Sequence, residues 1–195
     1  MDKKAFSFDF SMKSTDDNDS QHEINGIPVK SFVGYASDFT TIDRVNEQVV
    51  KGAFKKHLEN KGNRTILMHN HKTNIGVADV QEDDSGLLVK GYINMDTQAG
   101  KETYSLLKMG AIQKLSFGYS VKDYEQSKTS DGDSFTKLTE LELHEVSPVD
   151  FPANPATSIV EVKGAQENAS PAWGSTIQHL KSVTNDLADY LAYWR

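Results

Sequence analysis

The sequence predicts an α+β fold, a sheet-rich or barrel-like domain with its helices packed outside. Three observations carry that expectation. Short stretches of alternating apolar and polar residues recur along most of the chain, only two helical patterns fall between them, and strands and helices do not alternate as they would around a parallel sheet.

Phe6, Phe8, Phe10 and Met12 alternate with Ser7, Asp9 and Ser11, the period-2 pattern of a half-buried strand, and the polar run 14–20 ends it as a loop. The apolar stretch 27–35 reads as a second strand. Asn46 can cap a helix in which Val50, Phe54 and Leu58 recur four apart on one face, up to a stop at Lys61-Gly62-Asn63. Residues 65–68 and 76–80 read as strands on either side of His69-Asn70-His71-Lys72, and 81–93 as a return strand at the turn Asp83-Asp84-Ser85-Gly86. Thr97 suits the cap of a second helix that carries Leu106 and Leu107 and closes at Gly110. Leu115, Phe117, Tyr119 and Val121 alternate cleanly with Ser116, Gly118 and Ser120. A polar turn at Ser130-Asp131-Gly132-Asp133 leads into a further alternating strand over 135–146, which the cluster Pro148, Pro152 and Pro155 is expected to end, and 158–162 supplies a last strand. Beyond Gly164 the composition turns to Ala, Ser, Asn and Gln. A helical signal follows, with Ser175 and Gln178 as a capping box ahead of Ile177, Leu180, Val183, Leu187, Leu191 and Trp194.

The expected organisation is therefore an N-terminal strand and polar loop over 1–25, a core domain over 26–163, and a linker with a C-terminal amphipathic helix over 164–195. The 195 residues carry 28 acidic and 21 basic groups, a net charge of −7, and no cysteine. Disulfides, thiol nucleophiles and Cys-ligated zinc are excluded. The acidic balance disfavours nucleic acid as a partner, since phosphate binding needs clustered Lys and Arg. No apolar stretch suits a signal peptide or a membrane span, so a soluble, cytosol-made protein is expected, with no membrane partner.

Three groups of residues can carry chemistry. His69 and His71 stand two apart, which on a strand points both rings to one side and offers two ligands to a metal, though no third ligand is evident. Ser116 shares its strand face with Gly118 and Ser120, small residues that leave room for another backbone beside a serine nucleophile. By alternation Leu141, Leu143 and Glu145 face one way, while Glu140, Glu142 and His144 face the other. Glu145 then continues an apolar face, where an unpaired carboxylate is expensive and a histidine partner would satisfy it. A serine, a histidine and an acid on separate strands fit the logic of nucleophile, general base and orienting carboxylate.

Four separated stretches together resemble one family, the prohead (capsid maturation) serine proteases of tailed bacteriophages. They are Gly34-Tyr35-Ala36-Ser37 with Asp43-Arg44 and the run from Val50 to Phe54; Leu67-Met68-His69-Asn70-His71 with Ile75-Gly76; Leu115-Ser116-Phe117-Gly118-Tyr119; and Glu145-Val146-Ser147-Pro148-Val149 with Pro152-Ala153-Asn154-Pro155. The resemblance implies a small β-barrel core flanked by helices, distantly similar to the herpesvirus assemblins. It also implies His71 as catalytic base, Ser116 as nucleophile and Glu145 as third member, with His69 as pocket wall and His144 as a rival for the third place, because the assemblins use a histidine there. Gly118 and the loop before Ser116 are the candidate oxyanion donors. The implied activity is serine endopeptidase cleavage of the scaffold protein, or of a scaffold-like segment of the major capsid protein, inside the immature prohead in the host cytoplasm. Self-cleavage in the linker after Gly164 belongs to the same expectation, and no cofactor is implied. The alternatives are a non-catalytic capsid-assembly module on the same fold and a metal hydrolase built on His69 and His71.

Overall fold

A computed structural model describes residues 22–163, so the expected strand at 6–12, the linker and the C-terminal helix lie outside the described residues. The elements run β1 (His22–Ile24), β2 (Ile27–Asp38), β3 (Glu47–Val49), α1 (Lys55–Lys61), β4 (Arg64–His69), β5 (Thr73–Glu82), β6 (Gly86–Asn94), α2 (Gln98–Lys108), β7 (Lys114–Lys128), β8 (Ser134–Val149) and β9 (Ser158–Val162). The described part is mostly sheet, with two short helices.

Local chemistry explains most boundaries. Asn25 and Gly26 both take positive φ, the geometry of a two-residue hairpin turn that matches strand twist, and they join β1 to β2. Asp83 Oδ1 accepts from the amides of Ser85 and Gly86, so the β5–β6 turn closes there and β5 reaches Glu82, two residues beyond the expected break. Thr97 caps α2 as expected, its Oγ1 accepting from Gly100 N–H at 3.1 Å. Two expectations fail. Asn46 is not a helix cap, because residues 47–49 pair in parallel with β8 and the helix begins only after Phe54. The segment leading into it is held from β5, where the Glu82 carboxylate accepts from the amides of Gly52 and of the N-cap Phe54. Pro148 does not end β8 either. It pairs opposite Leu115, and its carbonyl accepts from Asn70 N–H, a bond that needs no proline donor.

The strands form one sheet in the order β1-β2-β6-β5-β4-β8-β3, with β7 on the other edge of β8 and β9 on β2. The sheet curls around a core that includes Phe32, Phe54, Leu67, Ile75, Leu115 and Leu141, none more than 1% exposed. It does not close into the expected barrel, since among the described residues no ladder joins β7 to β9. The two edges meet instead at a seam, where Ile159 N–H donates to the Gln113 carbonyl at 2.9 Å. Gly34 of β2 makes that approach possible: a Cβ there would stand 2.3 Å from the Ser158 carbonyl oxygen and 3.0 Å from the Leu115 side chain. Among the described residues no helix is long and apolar enough to cross a membrane.

Candidate active site

Two strands and one turn build the site. β7 and β8 pair antiparallel over nearly their full length, with Ser116 opposite Ser147 and Phe117 opposite Val146. The register slips once beside the site: Gly118 pairs with Glu145 and Tyr119 with Leu143, which leaves His144 unopposed. This bulge reverses the alternation of β8. Glu145 and Ser147 therefore stand on the side of Ser116, whereas strict alternation put Glu145 on the face of Leu141 and Leu143. Gly118 makes room for that acid. A Cβ there would lie 2.6 Å from Glu145 Oε1, so the missing side chain is the space in which the carboxylate lies.

His71 comes from the turn between β4 and β5, not from a strand, so it does not share a strand face with His69. Asn70 and His71 take φ of 52° and 58°, left-handed values that cost energy for residues with a side chain. Several bonds hold them there. Asn70 N–H donates to the Pro148 carbonyl at 3.1 Å and Lys72 N–H to the His69 carbonyl at 3.0 Å. The Asn70 side chain donates to Asp150 Oδ2 at 3.0 Å and accepts from Asp150 N–H at 3.1 Å, and His71 N–H donates to Ser147 Oγ at 3.2 Å.

The side chains meet as a relay. His71 Nε2 lies 3.0 Å from Ser116 Oγ, and His71 Nδ1 lies 2.6 Å from Glu145 Oε1. Glu145 is 8% exposed, and its second oxygen accepts from the fully buried Ser147 hydroxyl at 2.5 Å. A carboxylate on Nδ1 directs the proton to that nitrogen and leaves Nε2 as the acceptor facing Ser116. The Glu145 hydrogen bond raises the His71 pKa above its ordinary value against the opposing effect of burial. Such an arrangement can take a proton from a hydroxyl and hold the imidazolium that results.

The other histidines stand apart. His144, the rival third member, bonds Ser120 Oγ through Nε2 at 2.7 Å and does not reach His71. His69 Nε2 bonds the Asn70 side-chain amide at 3.2 Å, and the ring does not line the cavity beside Ser116. That cavity is walled by Phe117, Tyr119, Asp43, Glu47, Ser37 and Asn154 among others. Within it the Tyr119 hydroxyl donates to Glu47 Oε2 at 2.5 Å, and burial together with that carboxylate pushes its pKa up. Among the described residues no three His, Asp or Glu side chains converge as a ligand set. Sequence reasoning missed Ser147 and the Asn70–Asp150 clamp. Ser147 and Asn70 lie inside the quoted motifs and Asp150 directly after one, but no strand pattern signals that they meet.

Comparison with known proteins points to one family. A family model described as caudovirus prohead serine protease matches residues 18–170. The prohead protease of Enterobacteria phage HK97 is 30% identical over 162 residues, covering 81% of this chain and 67% of that protein. The prohead protease of Escherichia phage T5 is 24% identical over 169 residues, 84% of this chain and 76% of its own length. A capsid polyprotein of Pseudomonas phage PAJU2 is 31% identical over 116 residues, 56% of this chain but 17% of that protein. Among solved structures, KSHV protease in complex with a hexapeptide phosphonate inhibitor aligns at a TM-score of 0.43 with 12% identity, covering 79% of this chain and 77% of the other.

Proposed function

The chain belongs to the caudovirus prohead serine protease family, the proteases of phage capsid maturation, and on that premise we propose that it is an endopeptidase working through Ser116, His71 and Glu145. The observation that carries the reading is the relay itself, with Ser116 Oγ 3.0 Å from one ring nitrogen of His71 and Glu145 Oε1 2.6 Å from the other. His71 Nε2 takes the hydroxyl proton as Ser116 Oγ attacks the scissile carbonyl. Glu145 stabilises the imidazolium and keeps the ring in the useful tautomer. The imidazolium then protonates the departing amine, and water, deprotonated by the same nitrogen, releases the acyl group from Ser116. The tetrahedral oxyanion requires backbone donors; in the loop ahead of β7 the amides of Ala111 and Ile112 already donate to the Leu106 carbonyl and do not serve.

The substrates are capsid-shell proteins, the scaffold or a scaffold-like segment of the major capsid protein, cleaved inside the prohead in the host cytoplasm. Similarity to a capsid polyprotein supports that substrate class. Self-cleavage in the linker after Gly164 completes the proposal, its support being the Ala-, Ser- and Asn-rich composition there. Intact-mass spectrometry of the wild type, Ser116→Ala and His71→Ala, each with and without a fluorophosphonate probe and co-expressed with the shell protein, tests both parts. One adduct and a lost C-terminal fragment in the wild type alone are expected. Shell protein processed equally by wild type and Ser116→Ala would overturn the reading in favour of a non-catalytic assembly module.

A further inference from the structure

The relay leaves one buried polar side chain without an assigned task. Ser147 lies on β8 directly opposite Ser116, is 0% exposed, and makes two hydrogen bonds with its single hydroxyl. A carboxylate can only accept and an amide can only donate, so chemistry settles the direction of both bonds. The hydroxyl proton goes to Glu145 Oε2 at 2.5 Å, and an oxygen lone pair receives His71 N–H at 3.2 Å. We propose that Ser147 is a positioning residue of the reaction, one hydroxyl that holds both the Glu145 carboxylate and the left-handed backbone that presents His71. The inference rests on the proposed roles of Ser116, His71 and Glu145.

Two consequences follow from the geometry. With Oε1 bound to His71 and Oε2 to Ser147, the carboxylate cannot swing away from the ring. The hydroxyl also draws off part of the carboxylate's charge, so its removal strengthens the hold of Glu145 on the imidazolium and raises the His71 pKa further. The other titratable or charged groups around the turn are His69 at the end of β4, Lys72 in the turn itself and Asp150 after β8. Among these, His69 and Asp150 bond Asn70 rather than the His71 ring. The Asn70 bonds to Pro148 and Asp150 do not involve Ser147, so they keep the turn folded in its absence.

The test compares the full-length wild type, Ser147→Ala and Ser147→Cys, in which a thiol of similar shape is a weak donor. Two readouts are taken against pH: the rate of fluorophosphonate labelling of Ser116, and the His71 ring titration by nitrogen NMR, assigned with His71→Gln. Ser147→Ala is expected to slow labelling by roughly 10- to 100-fold and to move both the NMR midpoint and the acid limb of labelling to higher pH, with Ser147→Cys in between. A Ser147→Ala protein with wild-type labelling overturns the proposal, as does slowed labelling with an unmoved or lowered His71 midpoint, which marks a merely structural role. Should the alanine variant not fold, the same outcomes read on Ser147→Cys decide the matter. A wild type that labels at a residue other than Ser116 defeats the proposed function instead, while the NMR midpoints still judge Ser147.

Discussion

Two serines of β7 stand four residues apart, each against a histidine: Ser120 against His144 of β8, and Ser116 against His71 of the β4–β5 turn. Ser120 Oγ lies 2.7 Å from His144 Nε2, closer than the 3.0 Å between Ser116 Oγ and His71 Nε2. Yet His144 sits exposed at the bulge, and among the described residues its ring has no hydrogen bond to a carboxylate. His71 has a buried glutamate on its far nitrogen, and that glutamate has a buried serine behind it. A short contact to a hydroxyl therefore does not by itself build a relay. What distinguishes the pair at Ser116 is the ordered chain of partners that fixes the tautomer and stabilises the charged ring.

The largest effect separates the two serines. Ser116→Ala should lower fluorophosphonate labelling and shell-protein processing at least about 10³-fold, while Ser120→Ala stays within about twofold of the wild type, inside the usual reach of surface changes. Equal loss in both variants, read by intact mass, would erase the contrast. Next come the groups behind the histidines. Glu145→Gln should cost about 10³- to 10⁴-fold in turnover, because an amide can hold the ring in the wrong tautomer, whereas His144→Ala should leave the rate nearly unchanged.

A smaller but more pointed expectation concerns pH. The base must be neutral, and Glu145 raises the His71 pKa, so activity should fall as pH drops through a midpoint above the ordinary histidine value of about 6.5. A rate that is flat between pH 5 and 8 would remove His71 from its role. The smallest change is a single methyl. Gly118→Ala sets a Cβ 2.6 Å from the present position of Glu145 Oε1, so labelling should drop roughly 10- to 100-fold with little change in melting temperature. The comparison would sharpen if the loss were accompanied by a lowered His71 midpoint, since a displaced carboxylate no longer holds the imidazolium.

The elements with local signals were legible. Alternation marked β7 and β8, Thr97 announced α2, and Gly110, at φ 76°, closes it as expected. Elements decided by partners were not. Residues 47–49 fall in the helix expected after Asn46 but form β3, because β8 offers them a ladder. Pro148 looks like a strand end and is a strand residue, because the one bond asked of it uses its carbonyl. Asn25-Gly26 held a hairpin signal that the sequence analysis passed over.

By itself the sequence determined the strand-rich composition of the domain, the family it resembles and the choice of Ser116, His71 and Glu145 as the proposed catalytic set, since these depend on residue types and short-range order. Only the tertiary structure decided how they meet. One unopposed residue at His144 turns Glu145 to the side of Ser116, and one glycine opposite makes room for its carboxylate. A turn with two left-handed residues, held from β8 and the segment after it, brings in His71 from 45 positions away in the chain from Ser116. Register and backbone handedness arise from contacts between distant segments, so no period along the sequence records them.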